Sequence, residues 1–185
     1  MAIRRLWWLP LVVATSVVLT LVVGSAVASS GGAVVGGAVF KVAAQRGTSP
    51  STTMSAAFVD VPEAVLSGTL PGGSSTLLLI RFSAESTCTP PPETTANPPV
   101  CKARITVNGT EAEPASSADF AFDSIRGGGL FPRPEARAME RSFGPVGPGT
   151  YVIKVQYAVQ PEVSGPSAIS FTLDDWQLTV EAAKA

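Results

Sequence analysis

The side chains that could carry chemistry in this chain are few, and the first constraint on them is an absence: the sequence contains no histidine. That removes Ser-His-Asp and Cys-His nucleophilic catalysis together with the commonest zinc ligand sets. Carboxylates, arginines and two cysteines are what is left. Paired carboxylates can serve as general acid and base, as they do in glycoside hydrolysis, and two pairs stand close in sequence, Asp119 with Asp123 and Asp174 with Asp175. On an extended strand Asp119 and Asp123 share a face ~13 Å apart, too far for one catalytic dyad. Their expected place is a solvated sheet face. Asp174 and Asp175 turn to opposite faces of a strand, so at most one looks inward, where it needs a metal ion or an arginine such as Arg81, Arg104 or Arg141. A buried ion pair is the expected arrangement. Glu140-Arg141-Ser142 and Arg81 with Glu85 read as polar pairing on a sheet face. No residue is assigned a catalytic or cofactor-binding role, and the chain reads as a non-enzyme without a cofactor.

Cys88 and Cys101 bracket a proline-rich loop, Thr89 to Val100. In an exported protein two cysteines form a disulfide most simply, here expected to staple the hairpin between a strand ending near Glu85 and one starting at Lys102. Nothing beside either residue would depress a thiol pKa as a reactive pair requires.

The elements that must position these groups read as strands. Short runs of β-branched and aromatic residues alternate with Gly and Pro from Met54 onward, without a competing helical period. Thr76–Glu85 begins with a continuous apolar half, which predicts a central strand buried on both faces. Lys102–Val107 runs into Asn108-Gly109, which tolerates the positive φ of a type I′ turn and predicts a hairpin. That turn also accounts for the glycosylation-like triplet Asn108-Gly109-Thr110. In Asp119–Asp123 the period of two sends Phe120 and Phe122 to the core and both aspartates outward. Tyr151–Tyr157, Ile169–Leu173 and the closing Trp176–Val180 alternate as the C-terminal strands, with Trp176 buried. About eight strands and no helix to cover a parallel sheet predict an all-β, antiparallel, jelly-roll-like sandwich. An immunoglobulin-like sandwich is the nearest rival, but its tryptophan between two widely spaced cysteines is missing.

Ahead of this domain Arg4-Arg5 precede an uncharged apolar run from Leu6 to Val27. Basic residues before such a run hold it on the cytoplasmic side and send the following chain outward. Ala26-Val27-Ala28 fits a signal-peptidase site, so residues 1–28 are a cleaved signal peptide or, because the run is long enough to span a bilayer, a retained signal anchor. Residues 29–53, rich in Gly, Ser and Thr, read as a flexible linker, and 54–185 as the folded domain. Both readings of the leader place the domain outside, secreted or on the extracytoplasmic face of the envelope. The net charge is −1 and falls by two more units without Arg4 and Arg5, so nothing attracts nucleic acid. Membrane contact is expected only through an uncleaved leader.

Two resemblances rest on particular residues. Phe82-Ser83-Ala84-Glu85-Ser86-Thr87-Cys88, Asp119–Ser124, Met139-Glu140-Arg141-Ser142 and Leu173-Asp174-Asp175-Trp176 resemble recurring motifs of secreted bacterial β-sandwich proteins of unassigned function, which implies a shared fold and no activity. Pro148-Gly149-Thr150-Tyr151 with Leu173–Leu178 is similar to the closing strands of galactose-binding-like jelly rolls in carbohydrate-binding modules. That likeness implies a structural calcium on an aspartate of the last strand, with Asp174 and Asp175 as candidates. The leading functional expectation is a binding or assembly module whose partner is a saccharide, a cell-surface protein or further copies of the chain. A calcium-dependent carbohydrate-binding module is its specific version, and a carboxylate-dependent glycoside hydrolase is the rival of a different class.

Overall fold

The computed structural model describes residues 38–73, 75–89, 100–116, 120–124, 133–160 and 169–185. The leader, the proline-rich loop and Asp119 lie outside these residues. The described chain is all-β, with strands β1 (Val39–Gly47), β2 (Ser51–Thr53), β3 (Val59–Leu70), β4 (Thr76–Thr89), β5 (Val100–Val107), β6 (Thr110–Glu111), β7 (Asp123–Ser124), β8 (Glu135–Val146), β9 (Gly149–Gln160) and β10 (Ser170–Lys184). They form two antiparallel sheets packed face to face. Sheet one has the order β1-β10-β4-β8 with β2 also on β10, and sheet two has the order β3-β9-β5-β6 with β7 also on β5. Successive long strands alternate between the sheets, which is jelly-roll topology. The predicted sandwich is present, with more strands than the sequence marks because β2, β6 and β7 have only two or three residues each.

The core lies where the inner faces meet. Phe82, Ile80, Ile105, Val155, Phe171, Leu173 and Leu178 are fully enclosed. Phe122 bridges Phe82 and Phe171 at ring-centre distances of 5.8 and 6.2 Å. β4 is central in sheet one, as its apolar run predicts. Asn108 and Gly109 have φ of 49° and 83° between paired β5 and β6, the expected hairpin turn.

Four expectations are corrected. Residues 39–47 and 51–53 are not spacer, because β1 and β2 both pair with β10. The Val39–Ala43 run satisfies its backbone in the ladder despite the glycines before it. Cys88 and Cys101 are bonded with Cα atoms 5.8 Å apart, but β4 and β5 belong to different sheets. The bridge therefore ties the two layers together rather than stapling a hairpin. Ile169–Leu173 and Trp176–Val180 are one strand, β10, interrupted by a bulge between Asp174 and Gln177. Asp175 takes φ 43° there. The extra residue restores Trp176 to the inner face, where it is 3% exposed. Finally, Asp123 is not solvated. It is 7% exposed beside buried Phe122, because only Asp123–Ser124 of that run is strand and the alternation fails before it.

Candidate functional site

The bulge decides what the two C-terminal aspartates can do. Leu173 and Trp176 both point inward, so Asp174 and Asp175 fall on the solvent side and neither needs the buried arginine partner that strict alternation implies. Asp174 Oδ1 accepts the Asp175 amide at 2.8 Å, and no basic group among the described residues lies within ion-pair distance of either. The register places Asp174 opposite exposed Glu85, a neighbour that spacing along the chain does not reveal. Among the described residues no three acidic or cysteine side chains gather as metal ligands.

The other carboxylates are separated and engaged. Glu140 pairs with Arg81 across β8 and β4, and Arg81 also reaches Glu181 at 3.3 Å. Asp123 accepts from Ser86 Oγ at 2.9 Å and lies 3.5 Å from Arg137, which also holds Glu135. Ser86 and Arg137 together answer the demand of the buried Asp123 carboxylate for partners. On the outer face of sheet two, Asp60 accepts from Lys154 Nζ at 2.6 Å and Gln156 Nε2 at 2.7 Å. Those two bonds, the Lys154 one foremost, hold the Asp60 carboxyl below its ordinary range. Arg104 continues the ladder, donating to Gln156 and stacking over Phe58 at 4.2 Å.

Among the described residues a concave feature lies where the edge strands β1 and β3 face each other along one open side of the sandwich. There an apolar cleft of about 50 Å³ reaches inward between the sheets, walled by Ala43, Leu66 and Leu70 and floored by Leu78, Ile153 and Val180. That space admits a few waters or a short aliphatic group. Polar groups sit at the mouth. Lys41 Nζ donates to Thr69 O at 3.0 Å, and Gln45 Nε2 donates to Glu63 O at 2.8 Å. These side chains from one edge satisfy carbonyls of the other, where a neighbouring strand would otherwise do so. Gly68 leaves room beside Lys41, since a Cβ there would stand 3.5 Å from Nζ. Val39, Phe40 and Val42 are exposed along the same edge strand.

No protein-family model matches the chain, and no curated protein shows significant similarity to it.

None of the cleft residues belongs to the sequence candidates. Lys41 and Ala43 fall in the segment read as linker, and Leu66, Leu70 and Val180 look like ordinary strand residues until two edges are brought together. The β-branched and aromatic run Val39-Phe40-Lys41-Val42 is the one local signal that marks β1 as a strand.

Proposed function

We propose that this chain is an exported, non-enzymatic jelly-roll module that binds a ligand or partner at the outer side of the cell envelope. The observation that supports it best is the apolar cleft between the edge strands β1 and β3, a feature that offers a pocket with polar groups at its mouth. The apolar run after Arg4-Arg5 supports export, and the Cys88–Cys101 bridge, which needs an oxidising compartment to persist, agrees with it. The full chain, exported into such a compartment, is the material for the test. Its thermal midpoint is followed against saccharides, cell-wall fragments and short aliphatic compounds, because a ligand of the native state raises it. Gly68→Leu, which fills the cleft, is expected to abolish the rise; a rise unchanged in that variant would move the site elsewhere.

The saccharide-binding version with structural calcium retains one specific support, the juxtaposition of Glu85 with Asp174 on an exposed face. Its signature is a calcium-dependent midpoint that EDTA reverses and that Asp174→Asn removes. An unchanged midpoint with calcium and EDTA would discard it.

A further inference from the structure

The mouth of the cleft carries a charge that its walls do not require. Side chains of β1 alternate with period two, so Lys41 and Ala43 share one face of the strand, and both line the cleft. Ala43 continues the apolar wall. Lys41 is the one charged residue among the described residues that line it. Its stem extends the wall and its ammonium reaches the rim, where Nζ donates to Thr69 O at 3.0 Å. An ammonium has three N–H donors, so the Thr69 carbonyl leaves two for a group at the mouth, where the Lys41 side chain is exposed. No carboxylate of the described residues lies within ion-pair distance of Lys41. The adjoining residues 1–37 contain neither Asp nor Glu.

Below the rim the cleft offers almost no polar atoms. Its floor is Leu78, Ile153 and Val180, all buried. Tyr151 adds a wall, and its hydroxyl is committed to the Gly147 carbonyl at 2.9 Å. A sugar ring placed there would leave its hydroxyls without partners, which is unfavourable. A hydrocarbon chain loses nothing of the kind, and about 50 Å³ suits one of roughly four carbons. Gly68 keeps the entrance open, since a larger side chain would fill the space next to Lys41 Nζ. An apolar slot with a single cation at its rim is complementary to an aliphatic chain that ends in a negative charge.

We propose that the cleft between β1 and β3 binds a short aliphatic carboxylate, with its hydrocarbon chain between the sheets and its carboxylate on Lys41 Nζ. This ligand class rests on the reading of the cleft as a binding site.

The test uses the full chain, exported into an oxidising compartment and labelled with 13C at Ile and Val methyl groups. It is titrated with pentanoate, 1-pentanol, pentylammonium and acetate, and the Ile153 and Val180 methyl resonances on the cleft floor report occupancy. Pentanoate is expected to move both saturably and to bind about three- to tenfold more tightly than pentanol. Pentylammonium, repelled by Lys41, is expected to bind more weakly than pentanol, and acetate, which has no chain, to leave both resonances in place. Lys41→Met keeps the length and removes the charge, and should level pentanoate with pentanol. Gly68→Leu should abolish the shifts with both. The wild-type order of the four probes is decisive even where a variant does not fold. Equal binding of pentanoate and pentanol would overturn the proposal while leaving the cleft a binding site for apolar groups. Pentanoate shifts that persist in Gly68→Leu would place the ligand elsewhere and overturn it as well. Methyl resonances that none of the four probes moves would also overturn it; the reading of the cleft as a binding site is then decided separately, by whether saccharides or cell-wall fragments raise the thermal midpoint in wild type and not in Gly68→Leu.

Discussion

At the scale of single residues, close approach and local charge decide most of what can be tested. Gly47 pairs with Trp176 across β1 and β10, and a Cβ at Gly47 would come within 2.5 Å of the indole ring. Gly47→Ala must push back a side chain that fills the core, so we expect a loss of about 1–3 kcal/mol, read from urea or thermal unfolding. Asp60 gives a pH dependence with a defined sign. Its carboxyl is held below the ordinary value of 3.8 by Lys154 and Gln156. It therefore stabilises the fold above that value, and the contribution is lost as pH falls through the lower folded value. The Lys154 and Asp60 side chains are 43% and 46% exposed, which limits the effect to less than about 1 kcal/mol. Asp60→Asn should lose less stability than wild type on acidification from pH ~5 to ~3, measured by the shift in denaturation midpoint. Cys88 and Cys101 were legible as a bonded pair from their number and the export expected of the leader. Arg141 was legible as a sheet-face residue or as one of three arginines able to pair an inward aspartate, and its actual inward direction depends on which face of β8 meets the second sheet.

At the scale of elements, β1 and the bulge in β10 correct the linear reading. Glycines upstream suggest a linker through Thr53, yet β1 pairs with β10 along most of its length. A chain that starts at Met54 would leave β10 as an unpaired edge and uncover Trp176. We expect it to lose cooperative unfolding, whereas a chain starting at Ser29 keeps it; circular dichroism through a thermal ramp distinguishes the two. The disulfide likewise changes meaning with its elements. Cys88 and Cys101 are 13 residues apart in sequence, and closing a loop of about this size constrains the unfolded chain by roughly 3 kcal/mol. Replacing both by Ala should cost that order of stability, and the same drop should follow reduction of the native protein. The bulge was not legible. Leu173 and Trp176 are both apolar three positions apart, which a strict period of two cannot place on one face, and only pairing with β4 shows where the extra residue enters.

At the scale of the whole molecule, the alternation of long strands between the sheets means that neither sheet can form from one continuous stretch of chain. Nearly every stabilising contact then closes a long loop, and folding on the millisecond-to-second scale of β-sandwiches is expected. Secondary-structure and aromatic signals should disappear together in denaturant, since neither sheet has a separate core; two separated transitions would contradict this. The chain by itself determined the all-β class, the central position of β4, the Asn108-Gly109 hairpin, the burial of Trp176 and the exclusion of histidine chemistry. Each of these follows from residue type and periods of a few residues, which act locally. Tertiary structure alone decided that the disulfide joins two sheets, that Asp123 is enclosed while Asp174 is not, that β1 and β3 frame a cleft, and that Arg141 lies buried with no carboxylate of the described residues within ion-pair distance. Those outcomes depend on which strands become neighbours across the sandwich, and that is set by packing between segments far apart in sequence, where no local pattern reaches.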